Sequence, residues 1–242
     1  MSKTVLVTGA SSGIGAGIVE VLGRAGYTVH AVARRADRLA ELSEQTGCKT
    51  HPVDVTDTDA IAGLVETVQP EIVVCNAGRG GGFDGIAGTS AEDLAATVEL
   101  NVTATLDLLR QCLPGMIAQG RGHIVTIGSV AALYPSTSAL YGGTKAAVGM
   151  IAQNLRLELR GTGIRVTDIR PGRVASEFYD VAIADRAKSA AAQDTGIREL
   201  QPSEIGDAIL YAVGAPIHVN VSTIELQPLE QTYGGLNFDP TL

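Results

Sequence analysis

The chain has 242 residues, 45% of them hydrophobic, which is enough to bury one sizeable core and predicts a single domain over 1–242. Its formal charge of −8 at pH 7 disfavours nucleic acid as a partner, because phosphates require a basic surface. The cysteines, Cys48, Cys75 and Cys112, are odd in number and lack metal-ligand spacing, so they indicate a reducing compartment rather than a disulfide framework.

The chain shows no sign of membrane insertion, secretion or metal binding. No apolar run approaches the ~18 residues that a membrane span needs. The first strand-like run begins within five residues of Met1, which leaves no room for a secretion signal. The histidines are scattered without a second ligand three or four residues away, so we expect no metal site. We therefore predict a cytoplasmic protein without a membrane partner.

Short strand-like runs alternate with helix-period segments along the chain. The predicted strands are 4–8, 28–33, 50–53, 72–75, 123–128, 165–169 and 223–226. The predicted helices are 14–25, 37–46, 58–68, 90–118, 139–160 and 203–213. Such alternation predicts an α/β fold, in which a parallel sheet carries helices on both faces through right-handed crossovers.

A glycine-rich segment, Thr8-Gly-Ala-Ser-Ser-Gly-Ile-Gly15, directly follows the first predicted strand. Gly9 permits a tight turn, Gly13 lets the backbone approach a pyrophosphate, and Gly15 allows the helix to pack closely on the strand. The free N–H groups at the start of the following helix suit phosphate. Because the motif stands immediately after a strand, it predicts a dinucleotide site.

Polar residues also follow two later strands. Asn76-Ala77-Gly78 comes after the run 72–74, and Ser129 ends the run 124–128. Ligand-binding loops of parallel sheets lie at the carboxyl ends of the strands, so we expect these segments near the glycine-rich turn.

Tyr141 and Lys145 are four residues apart in Tyr141-Gly-Gly-Thr-Lys145. On a helix this spacing places both side chains on one face, about 5–6 Å apart between Cβ atoms. The ammonium would then favour a phenolate, so we expect Lys145 to lower the pKa of Tyr141. The motif taken alone also fits a core tyrosine beside a lysine that extends to solvent.

In this order, these motifs resemble the short-chain dehydrogenase/reductase family over almost the whole chain. The resemblance also includes Asp54-Val55, Asn101 and Pro171-Gly-Arg-Val-Ala-Ser176. It implies a Rossmann-type, doubly wound sheet of seven parallel strands in the order 3-2-1-4-5-6-7, with helices on both faces and a single domain.

The resemblance implies catalytic roles for Asn101, Ser129, Tyr141 and Lys145. Tyr141 would be the general acid in reduction and the base in oxidation, while Ser129 would bind the carbonyl oxygen. Lys145 would hold the nicotinamide ribose, and Asn101 would connect Lys145 to solvent through a water. Ser129 and Tyr141 are twelve apart, one fewer than in many members, so the loop 131–139 is shortened. Ser136 or Ser138 could be the catalytic serine instead, but Ser129 matches the family pattern better because it stands in Ile-Gly-Ser129-Val at the end of a strand.

The resemblance also implies a cofactor-binding set. Its members are Gly9, Ser11, Ser12, Gly13, Ile14, Gly15, Arg34, Arg35, Asp54, Val55, Asn76, Ala77, Gly78, Tyr141, Lys145, Pro171, Gly172, Val174 and Ser176. Asp54 would accept a hydrogen bond from the adenine amino group, with Val55 lining the adenine pocket. The alternative for Asp54 is a loop acid that caps a helix.

The end of the second strand predicts NADP(H) rather than NAD(H). An acid usually holds the ribose 2′-hydroxyl of NAD, whereas a 2′-phosphate calls for arginine. The acid's position looks like Ala33, and Arg34 and Arg35 follow it. We expect Arg34 to contact the phosphate and the nearby Asp37 to face solvent. Some NADP-dependent members carry a second basic residue at the position of Ser12, so Arg34 and Arg35 would provide most of the discrimination.

Two arginines stand near the expected reaction centre. Arg79 follows Asn76-Ala77-Gly78, and Arg173 follows the proline-glycine turn. In an acidic protein, arginines here would attract an anionic substrate and bind its carboxylate or sulfonate, together with Ser129 and Tyr141 at the carbonyl. The alternatives are that Arg173 contacts cofactor phosphates, or that both side chains face solvent. The alanine-rich segment 177–198 is predicted to be a substrate lid, with a plain surface helix as the alternative.

The segment 216–237, which runs into the predicted C-terminal tail 227–242, and the segment 165–172 resemble the branch of NADP-dependent 3-hydroxy acid and serine dehydrogenases, which also contains sulfoacetaldehyde reductases and broad carbonyl reductases. A 3-oxoacyl-carrier-protein reductase remains an alternative, although its Val-Asp-Gly-Gly-like tail is absent here. A nucleotide-sugar epimerase usually has a longer chain. A regulator that senses NADPH would keep the glycine motif and lose the active-site set.

We also predict a homotetramer, as is common in the family. Helices 90–118 and 139–160 carry apolar residues on more than one face, and the surplus could form a two-fold helix–helix interface. The residues concerned are Leu94, Val98, Leu106 and Leu109 in the first helix and Val148, Ile151, Leu155 and Leu159 in the second. The alternative is that both helices lie deep in one core.

Overall fold

The computed structural model describes residues 3–183, 185–231 and 238. Its sheet has seven parallel strands in the order β3-β2-β1-β4-β5-β6-β7, which confirms the predicted topology. The strands are β1 Thr4–Thr8, β2 Thr28–Ala33, β3 Lys49–Pro52, β4 Ile72–Cys75, β5 Gly122–Ile127, β6 Ile164–Pro171 and β7 Thr223–Leu226.

The helices connect successive strands. They are α1 Gly13–Arg24, α2 Ala36–Thr46, α3 Thr58–Val68, α4 Ala91–Val98, α5 Ala104–Gln119, α6 Ala139–Glu158, α7 Phe178–Ala182, α8 Arg186–Gln193 and α9 Pro202–Gly214. One prediction needs correction, because the single helix 90–118 is interrupted by a π-helical turn over Glu99–Thr103. Such turns are frequent at functional sites, and Asn101 lies inside this one.

Helices cover both faces of the sheet, so that neighbouring residues of one strand pack into different cores. Val5 and Val7 of β1 pack with residues of α1 and α9, whereas Leu6 between them packs with residues of α3, α5 and α6. All three side chains are fully buried. Strands that bury both faces read as continuous apolar runs, and their carboxyl ends share one edge where the loops form a site.

The segment 177–198, predicted to be a lid, contains α7 and α8, with residue 184 outside the described residues. Asp180 joins the two helices, because its Oδ1 accepts hydrogen bonds from Ser189 Oγ at 2.9 Å and Gln193 Nε2 at 2.6 Å. Lys188 Nζ lies 2.6 Å from Asp84 Oδ1 in the loop after β4. Of the predicted tail 227–242, residues 232–237 and 239–242 lie outside the described residues.

The two helices predicted to share a surplus apolar face differ in the structure. In α4 and α5, Leu94, Val98 and Leu106 are 41%, 37% and 45% exposed, while Leu109 is buried. The four apolar residues named for the second helix belong to the core instead of a surplus face: Val148, Leu155 and Leu159 are buried, and Ile151 packs against the same core. Among the described helices, none combines the length and the apolar character that crossing a bilayer requires.

Candidate active site

A cavity of about 840 Å³ opens at the carboxyl ends of the strands. All predicted site residues except Asn101 line it: Gly9, Ser11, Ser12, Gly13, Ile14, Gly15, Arg34, Arg35, Asp54, Val55, Asn76, Ala77, Gly78, Arg79, Ser129, Tyr141, Lys145, Pro171, Gly172, Arg173, Val174 and Ser176. Loops from six strands therefore converge on one site.

Hydrogen bonds between two strand ends fix the glycine-rich turn. Thr8 Oγ1 donates to Val74 O at 3.2 Å and accepts from the backbone N–H groups of Asn76 and Ala77, each at 3.1 Å. The Asn76 amide in turn donates to Thr8 O at 2.8 Å and Gly9 O at 3.2 Å. The side chain of Asn76 thus holds the turn in place, a role that the sequence did not reveal.

The turn leaves no room for a side chain at two of its glycines. Gly9 has φ +64°, and a Cβ there would lie 2.8 Å from Ala77 Cα. A Cβ on Gly15 would lie 2.7 Å from Asn76 Nδ2. The turn is therefore packed tightly against the segment after β4, which fixes the start of α1 where a pyrophosphate would bind.

Arg35 contacts the glycine-rich turn more closely than Arg34 does. Arg35 Nε donates to Ser11 Oγ at 3.1 Å, and its Nη2 donates to Ser12 Oγ at 2.6 Å. The Arg34 side chain is 76% exposed, and its Nη1 lies 3.7 Å from Asp54 Oδ2. From the sequence we expected Arg34 to contact the phosphate. In the structure Arg35 lies beside the serines, and the phosphate contact of either arginine stays a prediction.

The catalytic candidates meet where β5 ends and α6 begins. Ser129 directly precedes a short 3-10 turn after β5, and Tyr141 lies in the first turn of α6. Lys145 lies one turn later, with Nζ 6.0 Å from the Tyr141 ring centroid and donating to Ile127 O at 2.7 Å. Ser138 instead caps α6, because its Oγ accepts from Tyr141 N at 2.9 Å. The alternative catalytic serine at position 138 thus has a structural role.

Burial changes the titration of both members of the pair. It raises the pKa of Tyr141 to about 12, opposed by a hydrogen bond with Ser129 and supported by Tyr179. It lowers the pKa of Lys145 to about 8, opposed by the carboxylate of Asp168. The sequence predicted the reverse direction for Tyr141. In the structure, desolvation of the phenol outweighs the nearby ammonium, which is directed at a carbonyl.

Asn101 stands behind the cavity wall. Its side chain is buried, with Oδ1 accepting from Arg79 N at 2.8 Å and Nδ2 donating to Arg79 O at 2.9 Å and Thr144 Oγ1 at 3.0 Å. Thr144 immediately precedes Lys145. Asn101, within the π-helical turn, thus joins the loop after β4 to α6. The role of Asn101 in a water relay stays a prediction.

Aromatic residues surround Tyr141, and sequence analysis missed them. Phe178 lies 5.2 Å and Phe83 lies 6.3 Å from Tyr141 between ring centroids, and Tyr179 lies 5.1 Å from Phe178. Aromatic residues make up only 4% of the chain, so this cluster is a strong local concentration. The adjacent pair Phe178-Tyr179 at the start of the predicted lid was the available signal.

Each arginine proposed for anion binding contacts a carboxylate. Arg173 is buried, its Nε lies 2.5 Å from Glu199 Oε1, and its guanidinium carbon lies 4.2 Å from the Tyr179 ring centroid. Arg79 Nη2 lies 2.9 Å from Asp93 Oδ1. Both side chains are thus held in defined positions at the cavity wall.

Comparisons with known proteins agree with this geometry. A family model described as short chain dehydrogenase matches residues 3–187. An NADP-dependent 3-hydroxy acid dehydrogenase of Escherichia coli is 36% identical over 242 residues, covering 96% of this chain and 98% of the relative. A serine 3-dehydrogenase of Agrobacterium fabrum is 33% identical over 97% of each chain.

A solved structure of a serine dehydrogenase, in its closed form with NADP+, superposes with a TM-score of 0.91 at 35% identity. The match covers 98% of this chain and 99% of the other. One explanation accounts for these matches, for the sheet order, for the glycine-rich turn and for the cavity that contains Ser129, Tyr141 and Lys145. The chain belongs to the short-chain dehydrogenase/reductase family of oxidoreductases.

Proposed function

We propose that the protein is an NADP(H)-dependent oxidoreductase that interconverts a small alcohol, such as a 3-hydroxy acid or hydroxy sulfonate, and its carbonyl. The observation that carries this proposal is the meeting of Ser129, Tyr141 and Lys145 in the cavity that also contains the glycine-rich turn. Two observations support the preference for NADP(H). Arg35 donates hydrogen bonds to Ser11 and Ser12 in the glycine-rich turn, and relatives are described as NADP-dependent.

The residues present fit a nicotinamide dinucleotide. Backbone groups around Gly13 would hold the pyrophosphate, Arg34 and Arg35 the 2′-phosphate, and Lys145 the nicotinamide ribose. When bound, the cofactor supplies or accepts the hydride at the carbonyl carbon. The protein supplies proton transfer, orientation and exclusion of water.

Proton transfer follows from the geometry of the pair. Ser129 donates a hydrogen bond to the substrate oxygen and stabilises the negative charge that develops there. Tyr141, held in its protonated form by burial, delivers a proton to that oxygen during reduction and takes it back during oxidation. Lys145 holds the cofactor ribose beside Tyr141, and its ammonium favours the phenolate left after transfer.

We also propose that the substrate is an anion. A guanidinium has five N–H donors, so an arginine bound to one carboxylate can still receive a second oxyanion. Arg173 and Arg79 both line the cavity, and Glu199 and Asp93 fix their orientation. The relatives' descriptions as 3-hydroxy acid and serine dehydrogenases point to carboxylate-bearing substrates.

The proposed assembly is a homotetramer. Leu94, Val98 and Leu106 leave an apolar face on α4 and α5 without cover from the described part of this chain, and a two-fold contact between copies would bury it. Light scattering should then give about four times the chain mass of 25.0 kDa. A mass of one chain at micromolar concentration would contradict the assembly.

The function is tested by replacing the Tyr141 hydroxyl. Purified protein is assayed with NADPH and a panel of small ketones, aldehydes and keto acids, and with NADP+ and the matching alcohols. We expect Tyr141→Phe to lower kcat at least ~100-fold, the usual contribution of general acid–base catalysis, with little change in NADPH binding. Tyr211→Phe is the matched control, because Tyr211 is 69% exposed on α9.

Two results would contradict the proposed function. If the wild-type protein bound NADPH but turned over no member of the panel, a sensing role would fit better. If Tyr141→Phe kept nearly full turnover, the assignment of the proton donor would be wrong. A preference for acyl-carrier-protein thioesters over small acids would instead indicate the 3-oxoacyl reductase alternative.

A further inference from the structure

The first residue of the predicted lid does not point at the substrate end of the cavity. Glu177 reaches across to α2, where Arg38 Nη1 lies 2.7 Å from its Oε1 and 2.8 Å from its Oε2. Arg35 Nη1 lies 3.4 Å from Glu177 Oε2. One carboxylate therefore contacts two guanidinium groups at the end of the cavity opposite Tyr141.

The same Arg35 belongs to the predicted phosphate site. Its other nitrogens bind the hydroxyls of Ser11 and Ser12 in the glycine-rich turn. The chain passes directly over this turn before it reaches Glu177, because a Cβ on Gly13 would lie 3.0 Å from Ser176 Cβ. A single guanidinium thus connects the glycine-rich turn, the proposed 2′-phosphate position and the lid.

Burial and charge indicate that the contact is a defined one. The side chains of Arg35, Arg38 and Glu177 are 39%, 38% and 44% exposed. The hydrogen bond from Arg38 is the main influence that holds the pKa of Glu177 below its usual value. The carboxylate is thus ionised at neutral pH, and the lid carries a negative charge into the place where a phosphate should bind.

We propose that Glu177 competes with the cofactor 2′-phosphate for Arg35 and Arg38, so that recognition of the phosphate is coupled to the position of the lid. The inference rests on the proposed preference for NADP(H). It assigns Arg38, which the sequence motifs do not include, to cofactor specificity, and it gives Glu177 a role distinct from covering the substrate.

The competition follows from the chemistry of the groups. Carboxylate and phosphate oxygens both seek the forked N–H donors of arginine, and the two anions repel one another at short distance. A phosphate that takes donors from Arg35 and Arg38 weakens their hold on Glu177. Coupling of two binding equilibria is reciprocal, so the Glu177 contact must weaken phosphate binding by the same factor by which bound phosphate weakens the contact, and the loss of Glu177 should strengthen phosphate binding.

Arg34 provides a contrast within the same segment. Its contact with Asp54 is longer, at 3.7 Å, and joins the ends of two neighbouring strands without any lid residue. A phosphate bound to Arg34 alone would leave the lid unaffected. Coupling therefore depends on Arg35 and Arg38.

The experiment compares two ligands that differ only in the 2′-phosphate, 2′,5′-ADP and 5′-AMP, by titration calorimetry. Glu177→Gln keeps the size and polarity of the side chain and removes its charge. We expect this variant to bind 2′,5′-ADP at least about threefold more tightly than wild type and 5′-AMP with unchanged affinity. Asp37→Asn is the control for net charge, because Asp37 is exposed on α2 two residues from Arg35.

A second measurement follows the lid by trypsin cleavage after Arg186 and Lys188, with the products identified by mass spectrometry. We expect 2′,5′-ADP, but not 5′-AMP, to speed cleavage at these sites in the wild-type protein. In Glu177→Gln the cleavage should be fast with either ligand, because the contact is already lost. The Asp37→Asn protein should behave as wild type does.

Each other outcome overturns the inference in a recognisable way. If Glu177→Gln weakens 2′,5′-ADP binding, Glu177 orients the arginines for the phosphate and does not compete with it. If the variant changes both ligands equally, or if 2′,5′-ADP leaves cleavage of the lid unchanged, phosphate and lid are not coupled. If wild type binds 2′,5′-ADP no better than 5′-AMP, the proposed NADP(H) preference itself is wrong.

Discussion

A closely packed backbone turn lies at the cofactor end of the cavity, whereas aromatic side chains lie around Tyr141. At the first end, hydrogen bonds from Thr8 and Asn76 hold a turn in which Gly9 and Gly15 have no room for a side chain. At the second end, aromatic rings from the loop after β4 and from α7 lie around the Tyr141 ring. At the cofactor end the site is a tightly held turn between a strand and a helix. At the substrate end it is assembled from side chains of segments that are distant in the sequence.

This difference explains how each end constrains ligands. A dinucleotide phosphate needs N–H groups and space, which a strand–turn–helix unit with glycines supplies regardless of the remaining sequence. A substrate needs a shaped pocket, and the pocket depends on loops whose side chains vary without disturbing the sheet. Substitutions at the cofactor end should therefore change the affinity for the cofactor, whereas substitutions at the substrate end should change the preference among substrates.

The largest effect on ligand binding is expected from Gly15→Ala at the cofactor end. Its methyl group would lie 2.7 Å from Asn76 Nδ2 and 2.9 Å from Ala10 Cα, so the turn must shift. Overpacking of this kind costs about 2 kcal/mol, which corresponds to roughly a 30-fold higher Kd for NADPH if the strain falls on the bound turn. Calorimetric titration with NADPH measures the change.

Gly63→Ala is the matched control. Gly63 lies in α3 with no atom within 4 Å of the added methyl group, so we expect unchanged cofactor binding and a gain of about 0.5–1 kcal/mol in the free energy of unfolding. If Gly15→Ala bound NADPH as wild type does, the backbone at the cofactor end would be more compliant than the contacts indicate.

The same contrast determines what could be predicted from the sequence. The strands and the glycine-rich turn were predictable, because apolar runs and glycine spacing are local patterns, whereas the strand order was implied by the resemblance to the family. The contacts of Arg35 with Ser11 and Ser12 were not predictable, because position along a strand end does not reveal which of two adjacent arginines faces the glycine-rich turn. Side-chain direction after a strand depends on tertiary contacts that no spacing records.

Three features of the substrate end show the same limit. The segment 177–198 was predicted to be a lid, which stays a prediction, but the aromatic cluster at its start was not predicted, because Phe83 and Phe178 are 95 positions apart in sequence. The π-helical turn around Asn101 has no periodicity of its own to distinguish it from a helix. The spacing of Tyr141 and Lys145 gave their proximity correctly, but the pKa of Tyr141 depends on burial by distant residues.

A smaller effect is expected at the substrate end from Arg173→Ala. The Arg173 side chain is only 5% exposed, so its charge acts on a bound anion with little screening by water. We expect kcat/KM for a small keto acid to fall about tenfold more than that for an uncharged ketone of similar size, as loss of a charge-assisted hydrogen bond predicts.

Arg79→Ala should discriminate less between the two substrates, because its side chain is 30% exposed and bound to Asp93 near solvent. Equal losses for both substrates in Arg173→Ala would mean that Arg173 is structural, holding Glu199 and Tyr179 in place. The protein would then be better described as a carbonyl reductase for neutral substrates.

The smallest effect is expected where the two ends meet, at Lys145, and it should appear in the pH dependence of carbonyl reduction. Burial favours the neutral amine and lowers the pKa of Lys145 to about 8, so the ammonium is present at neutral pH and is lost as the pH rises through that value. Tyr141 titrates well above this range and keeps its proton. We therefore expect kcat/KM to be level near neutral pH and to decline above about pH 8 with the loss of one proton.

Replacing the buried Asp168 identifies the group that titrates. Its carboxylate favours the charged form of Lys145, so Asp168→Asn should lower the pKa of Lys145 further and move the decline in kcat/KM to lower pH. Because Asp168 also pairs with Arg170 at 2.6 Å, thermal melting must first show that the variant is folded. A wild-type profile that stays level to pH 10, or an unshifted decline in folded Asp168→Asn, would assign the titration to a group other than Lys145.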